Sequence, residues 1–158
     1  MPDLSLSVQY ATSCPELTRP RLRRWVQCAL DQAWERTHPD DRFSGLSVTL
    51  RIVDAEEGRS LNQGYRDKDY ATNVLTFEYG QDPEGIVHGD IVLCLPVLER
   101  EAAEQEKPLL HHAAHLVVHG TLHSLGYDHI DEQDALDMEA LETTVLARLR
   151  IPDPYQER

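Results

Sequence analysis

Asp90-Ile-Val-Leu-Cys-Leu95, closed by Pro96, is the stretch that decides the fold. Its apolar residues run on without alternating, so it reads as a strand covered on both faces. Pro96 then starts a helix that runs to about Glu106. Upstream, Leu46, Val48, Leu50 and Ile52 alternate with polar residues, as do Leu4, Leu6, Val8 and Tyr10, and both segments predict half-buried strands. Thr72 to Tyr79 is rich in β-formers and predicts another strand, separated from Asp90 by the turn Gln81-Asp-Pro-Glu-Gly85. A helix capped by Thr18, with Pro20 in its first turn, carries the stripe Leu22, Val26, Ala29 and Ala33 and stops near His38-Pro39. A short helix fits Ala55 to about Gly64. Pro108 starts a helix carrying His111 to His123 and ending near Gly126. Asp131 opens a last one to about Arg150, with Leu136, Leu141, Val145 and Leu149 as its inner stripe. The tail Ile151 to Tyr155 reads as extended. The order β-α-β-α-β-β-α-α-α predicts an α+β fold: a single domain over 1–158, with a small mixed sheet of about four strands, about five helices, and the histidine-bearing helix central.

Composition narrows the function classes. The chain has 158 residues, 41% hydrophobic and 27% charged, as expected of a globular protein with a core of its own. Its net charge of −13 is uneven: residues 1–79 carry 10 Lys/Arg against 12 Asp/Glu, residues 80–158 only 5 against 16. Such a protein is a poor non-specific nucleic-acid binder, because affinity for phosphate comes largely from Lys and Arg. RNA contacts would have to be local, at Arg66 with Lys68 or at Arg19, Arg21, Arg23 and Arg24. That arginine cluster reads equally well as a solvated helix face. Cys14, Cys28 and Cys94 form no C-x-x-C pair and read as free thiols. The start lacks a basic signal-like region and no apolar run approaches the roughly 18 residues of a membrane span, so a cytoplasmic location and no membrane partner are expected.

The chemistry concentrates in His119-Gly-Thr-Leu-His123-Ser-Leu-Gly126-Tyr-Asp-His129. On a helix, His119 and His123 share one face, about 6 Å apart along the axis. Gly126 can end that helix in a left-handed turn and bring His129 to the same point. Three neutral imidazoles with one position left for water are the ligand set of a catalytic zinc, whose bound water loses its proton near neutrality. The spacing is also that of the zincin motif H-E-x-x-H-x-x-G-x-x-H, but Gly120 stands where the zincins carry their Glu base. His115, one turn before His119, suits hydrogen bonding behind the ligands or plain packing. Asp128 either orients His129 or is an exposed turn residue. His112, His88 and His38 have no motif context.

A second cluster runs from Asn62 to Phe77 and places Arg66 in a loop feeding a strand. Arginine suits bidentate contact with phosphate and the charge that builds in phosphoryl transfer. A surface ion pair with Asp67 or Asp69 is the equal alternative.

Together the two segments resemble the YbeY family of bacterial rRNA-maturation endoribonucleases. Its H-G-x-L-H-x-x-G-Y-D-H is matched by His119 to His129, and its N-x-x-Y-R-x-x-D-x-x-T-[DN]-V-L-[ST]-F by Asn62 to Phe77. Gly89-Asp90-Ile91 matches the strand between them, and the resemblance covers roughly residues 46–150. It implies one Zn²⁺ per chain on His119, His123 and His129, with Arg66 as the catalytic arginine. It implies a single-strand-specific endoribonuclease acting in 16S rRNA 3′-end maturation and ribosome quality control. Asn73 stands where many members carry Asp, and Ala71 where many carry Pro; Asn73 can still position water or phosphate. The other readings are a ribosome-assembly binding factor with a structural zinc, met by the small ribosomal subunit or a basic ribosomal protein, and a zincin-like peptidase that lacks its base.

Overall fold

A computed structural model describes residues 2–127 and 131–155. Strands β1 (Asp3–Tyr10), β2 (Gly45–Val53), β3 (Val74–Gln81) and β4 (Ile86–Cys94) form one sheet in the order β1-β2-β4-β3. β1 with β2 and β2 with β4 run parallel, whereas β3 returns antiparallel on β4. The sheet is therefore mixed, as expected from sequence. The helices are α1 (Arg19–Arg36), α2 (Ala55–Arg66), α3 (Leu95–Glu104), α4 (Leu109–Ser124) and α5 (Glu132–Arg148), with a 3₁₀ turn at Pro39–Asp41.

Alternation sorts the strands onto two faces. Leu46, Val48, Leu50 and Ile52 of β2 join Val87, Ile91 and Leu93 of β4 under the main core, with Leu22, Val26, Ala29 and Leu30 of α1. The other face buries a smaller cluster of Val53, Leu75, Val92, Cys94 and Val97, with Leu61 of α2 against it. β4 thus sits between two cores, and Ile91 to Cys94 are all buried. That is why this run does not alternate.

Helix α4 is central, packed on α1, α3, α5 and strands β3 and β4. Two glycines let it approach the sheet. A Cβ at Gly120 would lie 3.1 Å from Ile91 Cγ2, and one at Gly89 would lie 3.0 Å from Ser124 Oγ. Beyond α4, Gly126 takes φ +103°, Tyr127 N donates to Leu122 O and Gly126 N to His123 O. This is a Schellman ending, and it turns the chain as the glycine predicted.

Three sequence expectations change. α2 does not stop near Gly64 but continues to Arg66, because Asp67 takes the left-handed conformation (φ 57°, ψ 38°) and its N–H caps Gln63 O. Arg66 is therefore the last residue of a helix, not part of a loop. Leu136 is 55% exposed; the inner stripe of α5 is Met138, Leu141, Glu142, Val145 and Leu146, with Leu149 at its margin. The tail is not simply extended either: it closes in a turn where Tyr155 N donates to Asp153 Oδ1. Among the described residues, no helix is long and apolar enough to cross a membrane.

Candidate metal centre

α4 is buried almost all round, and its partly covered positions include His111, His115, His119 and His123, one turn apart. The His119 and His123 rings have centroids 6.2 Å apart, and those of His115 and His119 are 6.4 Å apart. The side chains of His115, His119 and His123 are 15%, 24% and 21% exposed, so the stripe is reachable but not solvated.

Each imidazole of the pair has a carboxylate at its Nδ1. Glu142 Oε2 of α5 lies 2.8 Å from His119 Nδ1. Glu78 Oε1 of β3 lies in close contact with His123 Nδ1. At His119 this is the common backing of a metal-ligating histidine, since an Nδ1–H held by an acceptor presents the Nε2 lone pair to the ion, whereas the Glu78 contact at His123 is an ion-pair contact and not a hydrogen bond. Neither carboxylate was singled out in the sequence. Glu78 had a signal: with Val74 and Thr76 it alternates onto one face of β3, and its cross-strand partner Gly89 faces α4. Glu142 had one too, a charged residue on the buried stripe of α5.

Glu142 is fully buried and also accepts from His115 Nε2 at 3.2 Å and from the Tyr155 hydroxyl. Burial alone would raise its pKa, but the hydrogen bonds from His115, His119 and Tyr155 outweigh it and bring the carboxyl down to about 2. Burial and the Glu142 charge push the Tyr155 phenol upward. A cavity of about 320 Å³ opens beside His119, lined by Ala135, Met138, Glu139, Glu142 and Tyr155.

The other candidates separate. His129 and Asp128 lie outside the described residues, so the third ligand of the motif and its neighbour are not placed. Among the described residues, no three His, Cys, Asp or Glu side chains form a metal-ligand group. His115 joins the Glu142 network. Asn73 instead donates to Glu101 Oε1 at 3.0 Å, the oxygen that also meets His112 Nε2 at 2.9 Å. Its side chain thus ties β3 to α3. His88 pairs with Asp82, and His38 accepts from Asp40 N.

Arg66 is exposed, and among the described residues Asp69 pairs with Arg59 at 2.6 Å, not with Arg66. The ring of its neighbour Tyr65 stands edge-on to Phe77 of β3, with centroids 5.0 Å apart. Phe77 and Glu78 are consecutive, so the end of α2 and the end of α4 meet the same edge strand from opposite faces. Of the other arginines, Arg19 and Arg23 donate to Val8 O and Leu4 O, and Arg21 to Glu16 O. Those three anchor helix α1 to backbone carbonyls, two of them on β1.

A family model described as Endoribonuclease YbeY matches residues 7–150. Endoribonuclease YbeY of Bordetella pertussis is 60% identical over 153 residues, covering 97% of this chain and 96% of that protein. Endoribonuclease YbeY of Thiobacillus denitrificans is 50% identical over 155 residues, covering 98% and 97%. The solution structure of a Thermotoga maritima protein superposes with a TM-score of 0.57 at 20% identity, over 96% of this chain and 99% of that one, and so shares the fold. On the matched motifs and the identity over nearly its whole length, the chain belongs to the YbeY family of endoribonucleases.

Proposed function

We propose that the chain cleaves single-stranded RNA at one zinc ion held by His119, His123 and His129, with Arg66 neutralising charge on the scissile phosphate. The observation that carries this is the pair of imidazoles on α4, each with a carboxylate at Nδ1, on a helix whose glycine ending leads to His129. When bound, such an ion polarises a phosphodiester and makes water acidic enough to attack it. The rest is done by the chain: Glu142 orients the His119 ring, Glu78 sets its charge beside His123, and the cavity beside His119 gives the substrate room. Arg66 ends α2, which meets β3 on the face away from the histidine pair, so its assignment to the scissile phosphate is supported by the matched motif and by its exposure, not by a contact with the histidines. Helix α4 itself argues against the peptidase alternative, because position 120 is buried tightly against Ile91 and carries no side chain to act as a base.

Family resemblance supports the finer assignment. The RNA is the 3′ end of 16S rRNA, the wider role is ribosome quality control, and the setting is the small ribosomal subunit in the cytoplasm. A basic ribosomal protein would suit the acidic second half of the chain. The competing reading is a ribosome-assembly factor whose zinc is structural.

A labelled single-stranded RNA and the purified chain test the proposal. Arg66→Ala is expected to cut kcat by roughly 100- to 1,000-fold, the usual loss of one charge-stabilising group. Its melting temperature should hold, since surface changes stay within about 0.5 kcal/mol. His119→Ala should abolish cleavage. Undiminished cleavage by both variants would sink the nuclease site and favour the binding factor.

A further inference from the structure

We propose that Glu142 and Tyr155 are positioning residues: the tail tyrosine clamps the Glu142 carboxylate, which fixes His119 as the Nδ1–H tautomer with Nε2 turned to the metal. The proposal rests on the ligand reading of His119 above and extends it to two residues far away in sequence.

Three observations carry it. Glu142 is fully buried on α5, yet it is a carboxylate, and such a group is costly unless its oxygens are satisfied. Both are: Oε2 faces His119 Nδ1 at 2.8 Å, while Oε1 receives the Tyr155 hydroxyl and lies 3.2 Å from His115 Nε2. With both oxygens engaged, the carboxylate cannot rotate without breaking a contact at each end. A carboxylate has no proton to give, so at His119 it accepts, and the ring proton must sit on Nδ1.

The tail is built to hold this arrangement. Tyr155 N donates to Asp153 Oδ1 at 2.8 Å, and Asp153 Oδ1 lies 3.4 Å from Thr143 Oγ1 of α5, whose hydroxyl donates chiefly to Glu139 O at 2.9 Å. The Tyr155 ring stands edge-on to His115, with centroids 5.4 Å apart. The phenol is therefore delivered to Glu142 by a turn pinned to the same helix. Tyr155 itself is 43% exposed, so losing its hydroxyl need not disturb the core.

Zinc affinity, read by competition with a chromogenic chelator on the full-length chain, tests this without any cleavage assay. Glu142→Gln, which has the same shape but an amide able to donate, is expected to weaken zinc about 10- to 100-fold, the usual loss for a partner behind a metal-ligating histidine. Tyr155→Phe should weaken it several-fold and, by removing a hydrogen bond to a buried carboxylate, lower the melting temperature by a few degrees while the chain stays folded. Nitrogen-15 spectra of the zinc-free chain supply a readout that mere destabilisation does not move: His119 is expected as the Nδ1–H tautomer in wild type and as a mixture in Glu142→Gln. Wild-type zinc affinity and an unchanged His119 tautomer in both variants, with His119→Ala losing zinc, would overturn the positioning role alone. Zinc bound as tightly by His119→Ala as by wild type would instead overturn the ligand reading, and the positioning role with it.

Discussion

Gly120 has two meanings, one chemical and one steric. In the sequence it is the place where a zincin would carry its base. In the fold it is a contact point, since a Cβ there would press on Ile91, which is itself completely buried. Gly120→Ala is therefore expected to destabilise despite the better helix propensity of alanine. Overpacking costs about 1–3 kcal/mol and propensity returns about 1, leaving a fall in melting temperature of a few degrees. Gly120→Glu should lose several kcal/mol, because it adds an unpaired buried carboxylate to the same clash. A thermal melt of the glutamate variant that matched wild type would show that α4 does not depend on this approach. The histidine spacing was legible in the sequence because three ligand-type residues and a glycine fall within eleven positions. Glu78 and Glu142 were not, because each meets its histidine from another element, and only the folded register brings them there.

At the level of elements, the junction of α3, α4 and β3 is tied by His112, Glu101 and Asn73. His112 is buried, and its Nδ1 has no hydrogen-bond partner among the described residues. Burial pulls its pKa below the ordinary 6.5, against the upward pull of the Glu101 hydrogen bond; Lys107 and His115 add to the lowering. A histidine depressed in the fold binds its proton more readily when unfolded. Its contribution is therefore complete above the unfolded value and is lost as pH falls below about 6.5. Melting temperatures followed from pH about 7.5 to about 5.5 should fall in wild type and fall less in His112→Gln; parallel curves would refute the assignment. The helices and strands themselves were legible from period and breakers. The end of α2 was not: Gly64 looked like a stop, yet the left-handed residue is Asp67, whose N–H reaches Gln63 O. Leu136 misled for a related reason. A stripe drawn by counting leucines bypassed Met138 and Glu142, which lie on the true inner face.

Over the whole molecule, the mixed sheet places the two functional segments on opposite faces of one edge strand. Tyr65 of α2 meets Phe77, and His123 of α4 meets Glu78. Charge is arranged in keeping with this. The acidic excess lies in residues 80–158, whereas Arg66 and Lys68 belong to the nearly balanced first half. On the proposed reading, RNA would gain from local cations such as Arg66 and Lys68 rather than from a broad basic face. The sequence made the central helix and the doubly covered strand readable, because non-alternation of Ile91 to Cys94 demands cover on both sides. It did not show that the tail returns to α5, since Tyr155 in a short proline-rich segment carries no periodic signal. The central claim is that His119, His123 and His129 hold one metal ion together. The direct measurement is metal stoichiometry by native mass spectrometry on wild type and the three single alanine variants, reconstituted with zinc. One ion per chain in wild type and a near-empty population in each variant is the predicted result; an ion retained in full by all three variants would contradict it.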